Sequence, residues 1–235
     1  MPLDAREALA RNVPDPTSLP ASTERWEAQT LDLARRGVVR VAASHELSGG
    51  AGDDRAPSRR GYGFVVNESG IVLTAGRLVT GATRVAVILP DGRTLPVTPV
   101  ALDPLNDLAV LQVKGGPLRA IPLGSSGRLS VGDPLIALGG PVVGQTAVTV
   151  RATGTATGGD LVTDARATGQ PRVGLPLVNV RGEAVGVVTR TSEVGTGAAL
   201  DFAVPIDRAK RLLRGLEPAV HAAPRDGFPG VPPDR

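Results

Sequence analysis

Gly61-Tyr-Gly-Phe-Val-Val-Asn-Glu-Ser-Gly-Ile-Val-Leu-Thr74 sets two runs of β-branched and aromatic residues on either side of the polar turn Glu68-Ser-Gly70. Such side chains suit a pleated, half-buried surface, and Gly70 accepts the positive φ that a tight connection demands. The stretch reads as a β-hairpin of strands Tyr62–Asn67 and Ile71–Thr74. The same signature recurs outward in both directions. Val38–Ala43 precedes it, and Arg84–Leu89, Arg93–Val100, Leu108–Val113, Pro134–Leu138, Ala147–Ala152, Leu175–Val178, Ala184–Thr189 and Leu200–Val204 follow. Asp91-Gly92 and Arg181-Gly182 supply further turns. Many short strands punctuated by turn residues predict an all-β barrel architecture.

Helical periodicity appears only at the two ends of this β region. Ser22 or Thr23 can cap a helix that carries Trp26, Thr30, Leu33 and Ala34 on one face and stops at Gly37. Asp207–Leu216 follows Pro205 and lines up Ala209, Leu212, Leu213 and Leu216, which reads as a closing helix. The expected organisation is therefore a loose segment over 1–21, an amphipathic helix over 22–37, a barrel domain over 38–216 and an Ala/Pro/Gly-rich tail over 217–235.

Composition narrows the chemistry. Aromatics make up only 2% of the 235 residues, so the core must be assembled from Val, Leu, Ile and Ala. Without cysteine there is no disulfide framework and no thiol nucleophile. His45 and His221 stand alone, so neither a metal site nor a cofactor is expected. The net charge is +3 and lysine occurs only at Lys114 and Lys210. The arginine bias reads as that of a GC-rich coding sequence. Arg59-Arg60 and the run from Arg208 to Arg214 are short or interspersed clusters. With no interleaved aromatics, nucleic-acid binding is not expected. No stretch is long and apolar enough to span a membrane, and no leader is visible before Thr23, so a cytoplasmic location is expected, or export if a leader is missing from this sequence.

Gly61–Thr74, Asp103-Pro-Leu-Asn-Asp-Leu-Ala-Val-Leu-Gln-Val113, Pro122-Leu-Gly-Ser-Ser-Gly-Arg-Leu-Ser-Val-Gly-Asp133, Thr163-Asp-Ala165 and Phe202-Ala-Val-Pro-Ile-Asp207 occur in the order of five motifs of the HtrA/Deg family. Over roughly 38–216 the chain resembles that family's protease domain. The resemblance implies a chymotrypsin/trypsin-like double β-barrel. It also implies a site built from His, Asp and Ser in that order, with the serine attacking, the histidine moving its proton and the aspartate orienting the histidine. Family members commonly continue into a peptide-capturing PDZ module, and none is expected within the residues here.

Carried onto this sequence, the resemblance places Arg77 at the histidine position, Asp107 at the aspartate and Val173 at the nucleophile. Pro171 stands where a glycine N–H would help bind the oxyanion. Arginine has no accessible neutral form for base catalysis, valine offers no attacking atom and proline no N–H. Between Thr163 and Thr189 there is no serine, so a shift of register restores nothing. Ser125 and Ser126 lie in a turn remote from the nucleophile strand. Three expectations follow: the chain is not an enzyme; Arg77 pairs with Asp107; and Gly174, Leu175, Ala199, Leu200 and Phe202 line a groove that takes an extended peptide or a protein partner. The readings left open beside these are a purely structural assembly protein, including a homo-oligomer, and a working serine endopeptidase.

Overall fold

The computed structural model describes residues 32, 34–44, 58–115, 118–139, 148–155, 159–166, 172–194 and 198–216. The order is β1 (Val38–Ser44), β2 (Ser58–Val65), β3 (Ile71–Ala75), the one-turn helix α1 (Gly76–Val79), β4 (Arg84–Ile88), β5 (Thr94–Asp103) and β6 (Leu108–Val113). After a 3-10 turn at Ser126–Arg128 come β7 (Pro134–Ala137), β8 (Val148–Thr155), β9 (Leu161–Arg166), β10 (Pro176–Val178), β11 (Ala184–Val194), β12 (Ala198–Pro205) and the helix α2 (Ile206–Arg214).

Each half closes into its own six-stranded antiparallel barrel, ordered β1-β2-β3-β6-β5-β4 and β10-β11-β12-β9-β8-β7. Closure gives every described strand a hydrogen-bonded neighbour on both sides, which limits the open edge available for self-association. The predicted hairpin is present, with Gly63 opposite Thr74 and Val65 opposite Val72. Asn67 closes it: its side-chain oxygen accepts from the Ile71 N–H at 3.0 Å and from Ser69 Oγ at 2.9 Å.

All five residues of β3 are buried, because the strand is covered on both sides. Val72 faces a cluster made with Val39, Val41, Val65, Val87 and Leu111 of the first barrel. Its neighbours Ile71 and Leu73 join the larger cluster, which also contains Leu135, Leu177, Val187 and Ile206 of the second barrel. The period-2 alternation of a strand thus supplies one face to a barrel interior and the other to the junction between barrels. Burial of these aliphatic side chains at about 1.5–3 kcal/mol each is the main stabilising term.

Two expectations on secondary structure need correction. The sequence pattern predicts no strand at Leu161–Arg166, yet this segment is β9 and bridges β12 and β8. Strands β2 and β11 also run past their apolar stretches into Ser58-Arg-Arg60 and Arg190–Val194, because backbone pairing with β1 and β12 continues there. Of the amino-terminal helix, only its last residues, through Ala34 and Arg35, lie among those described; Trp26 and its neighbours lie outside them, as does the tail. No helix among the described residues is long and apolar enough to cross a membrane.

Candidate functional site

The junction of the barrels brings Arg77, Asp107 and Val173 to one cleft of about 610 Å³. Each arrives by a local device that the sequence makes available. Asp107 ends the connection between β5 and β6, which Asp103 organises by accepting from the N–H groups of Leu105 and Asn106, both at 3.1 Å. Asp107 itself takes φ +51°, a left-handed conformation that Asp tolerates better than most residues. Its carbonyl accepts the Gly76 N–H at 2.8 Å, and its Oδ1 accepts the Arg77 N–H at 2.6 Å. The carboxylate therefore caps the start of α1, where helical N–H groups have no partner of their own.

Arg77 then folds back on the same carboxylate. Its Nε donates to Asp107 Oδ2 at 2.6 Å, so one residue engages both oxygens, through its backbone and through its guanidinium. The expected ion pair is present. Half of the Arg77 side chain remains exposed. The opposite end of α1 is held by Arg59, whose Nη1 donates to the carbonyls of Arg77 at 2.6 Å and Thr80 at 3.4 Å. A guanidinium there satisfies free carbonyls and complements the helix dipole.

Val173 is delivered by a turn over Arg172–Leu175, closed by the Leu175 N–H on the Arg172 carbonyl at 3.0 Å. Gly174 is its third residue with φ +90°, the conformation such a turn requires of glycine. The turn is pressed against the other barrel: a Cβ on Gly174 would lie 1.7 Å from the Tyr62 carbonyl oxygen. The Tyr62 N–H donates to the Val173 carbonyl at 2.9 Å, a direct backbone bond between barrels. Gly61 leaves room for both Leu78 and the Val173 carbonyl, which a Cβ would meet at 2.5 and 2.7 Å.

A second cleft of about 330 Å³ continues from the first and shares Arg77, Pro104 and Asp107 with it. Leu105 lies on its rim, 97% exposed. Its far wall carries Arg190, whose guanidinium carbon sits 3.9 Å above the ring centroid of Phe202, a cation–π contact.

Of the predicted groove residues, only Phe202 lines a cleft. Gly174, Leu175 and Ala199 are buried, and Leu200 is a partly buried position of β12 opposite Asp164 and Ser192. Small apolar side chains on closed barrels are consumed by packing, so arginines and loop residues line the two clefts instead. Ser125 and Ser126 do not form a second site. Their hydroxyls donate to Asp207 Oδ2 at 3.1 and 2.8 Å, together with the Gly127 N–H at 3.1 Å, tying their turn to α2. Burial pushes the Asp207 carboxyl up, but the bonds from Ser126, Gly127, Lys210 and Ser125 outweigh it and hold the group at about 2. Pro171, His45 and His221 lie outside the described residues.

One pair escaped the sequence reading. Arg172 and Asp201 are 3% and 0% exposed; Arg172 Nε donates to Asp201 Oδ1 at 3.0 Å and lies 2.9 Å from Oδ2. Thr191 Oγ1 adds a bond to Asp201 Oδ1 at 2.6 Å. The residues lie 29 positions apart, and an arginine beside an apolar run gives no hint of burial.

Two closed barrels with a cleft at their junction define a trypsin-fold chain. Residues 61–187 match the family model of the trypsin-like peptidase domain. Putative serine protease HhoA of Synechocystis is 37% identical over 69% of this chain and 44% of its own length. Mitochondrial serine protease HTRA2 of Bos taurus is 30% identical over 87% and 46%. Serine protease PepD of Mycobacterium tuberculosis is 33% identical over 68% and 41%. The chain belongs to the trypsin-like peptidase family, as a protease domain of the HtrA type. It spans less than half the length of these relatives. The expectation that the chain is not an enzyme is thereby corrected: its relatives are named serine proteases, which points to a protease.

Proposed function

We propose that the chain acts on polypeptides, as serine proteases of its family do, and that an extended segment lies along the trough formed by the two joined clefts. The observation that carries this reading is the position of the trough. It runs over the junction of the barrels, past Val173 and the Arg77–Asp107 pair, where the HtrA resemblance puts the working face of the domain. Its floor suits a peptide: Leu78, Val173 and Pro104 are apolar, and Arg77 and Arg190 stand ready to meet main-chain carbonyls.

Binding is what the geometry supports, and cleavage is what the relatives' names support. Arg77, Asp107 and Val173 form among themselves no pair of hydroxyl and proton acceptor, so cleavage would draw its attacking group from elsewhere. Both are accessible in one experiment. A labelled, unstructured polypeptide is incubated with the protein while anisotropy reports binding and mass spectrometry reports new termini. Pro104→Trp, which crowds the part shared by both clefts, should weaken whichever signal is seen while leaving the melting temperature near that of the parent. A polypeptide neither bound nor cut would overturn the reading.

A further inference from the structure

We infer that the trough selects acidic segments, an inference that rests on the polypeptide reading above and names the chemistry of its substrate or partner. The larger cleft is walled by Arg59, Arg60 and Arg77 against the single carboxylate of Asp107, which leaves an excess of two positive charges (three minus one). Both Asp107 oxygens are already engaged by Arg77. Arg59 donates to carbonyl oxygens, which satisfies hydrogen bonding but does not neutralise its charge. Arg60 is exposed and has no ion-pair partner among the described residues. The second cleft adds Arg190 on its aromatic platform, while its other carboxylate, Asp160, is taken by Arg208 at 3.0 Å.

Such a surface has a chemical consequence. Cations along a concave wall with apolar floor residues focus a positive potential, and guanidinium groups match carboxylates in fork geometry. Glutamate or aspartate side chains on an extended segment would supply counter-charges that the described residues do not give Arg60 and Arg190, while the main chain lies over Leu78 and Val173. Among the described residues the larger cleft has no aromatic lining, and the one ring in the second cleft, Phe202, is already covered by Arg190, so a base finds little on which to stack.

The test compares equal-length labelled peptides by anisotropy: an acidic one, its Gln/Asn counterpart, a lysine version, and a single-stranded oligonucleotide. The acidic peptide should bind about tenfold more tightly than the neutral one, an advantage that shrinks as salt rises towards physiological strength. Arg60→Gln and Arg190→Gln should each remove part of that advantage. Arg128→Gln, an exposed arginine in neither cleft, should preserve it and so controls for net charge. Equal affinity for acidic and neutral peptides overturns the inference and leaves the polypeptide reading standing. No binding of any peptide overturns both. Tighter binding of the oligonucleotide than of the acidic peptide overturns the inference in favour of nucleic acid.

Discussion

Removing one partner of the Arg172–Asp201 pair is expected to be among the most damaging single changes in the protein. Both side chains are almost wholly buried, and the carboxylate is held by Arg172 at 2.9–3.0 Å and by Thr191 at 2.6 Å. Asp201→Leu leaves a guanidinium in a medium that solvates it poorly, and Arg172→Met does the same to a carboxylate. Each should cost about 3–5 kcal/mol, against a total stability of about 5–15 kcal/mol for an ordinary domain. Replacing both at once by Arg172→Met and Asp201→Leu removes the two charges together, and the double variant should be far more stable than either single one. The coupling so obtained should reach about 3 kcal/mol. Thr191→Val tests the third member and should cost about 1.5–3 kcal/mol, since a bond to a charged group is lost without replacement. Equilibrium urea unfolding with a common slope measures all four. Single variants that each lie within about 1 kcal/mol of the parent would show a pair behaving as if solvated, contrary to its burial.

Three further outcomes follow from the site. Gly174→Ala must both take φ +90° and place a Cβ 1.7 Å from the Tyr62 oxygen, so it should separate the turn from the first barrel or fail to fold; wild-type-like stability would mean that the barrels do not meet there. Asp107→Ala loses the cap on α1, the partner of Arg77 and the tolerance for φ +51°, and should cost about 1–2 kcal/mol in thermal unfolding, whereas Asp107→Asn should recover much of this loss. Asp207 has its carboxyl lowered from 3.8 to about 2 in the fold, so its contribution is complete above the unfolded value and disappears as pH falls through about 4 towards 2. Asp207→Asn should flatten the acid limb of the stability profile in that window, and an unchanged limb would contradict the assigned network.

What could be read from the residues depended on how much of each element is specified by local pattern. The hairpin at Gly61–Thr74 and all six strands of the first barrel announce themselves through β-branched runs and glycine-bearing turns. Strand β9 does not, because Thr163 and Asp164 interrupt its apolar residues and its place is set by partners on β12 and β8. The Arg77–Asp107 pair was legible because family resemblance put both residues at one site. The Arg172–Asp201 pair was not, since burial of a charge is decided by tertiary neighbours far away in the chain. The burial of Leu175 and Ala199 is hidden in the sequence for a related reason. Leu175 and Ala199 look available in sequence, but closure of the second barrel buries them and leaves arginines and the Pro104–Leu105 corner to face the trough.

Where a polypeptide lies on the molecule can be asked directly by photo-crosslinking. A photo-reactive residue at Leu105, 97% exposed on the trough, is compared with one at Val131, 73% exposed and in neither cleft. An unstructured, acidic polypeptide should crosslink at position 105 and leave position 131 unlabelled. Equal labelling at both, or labelling at 131 alone, would contradict it.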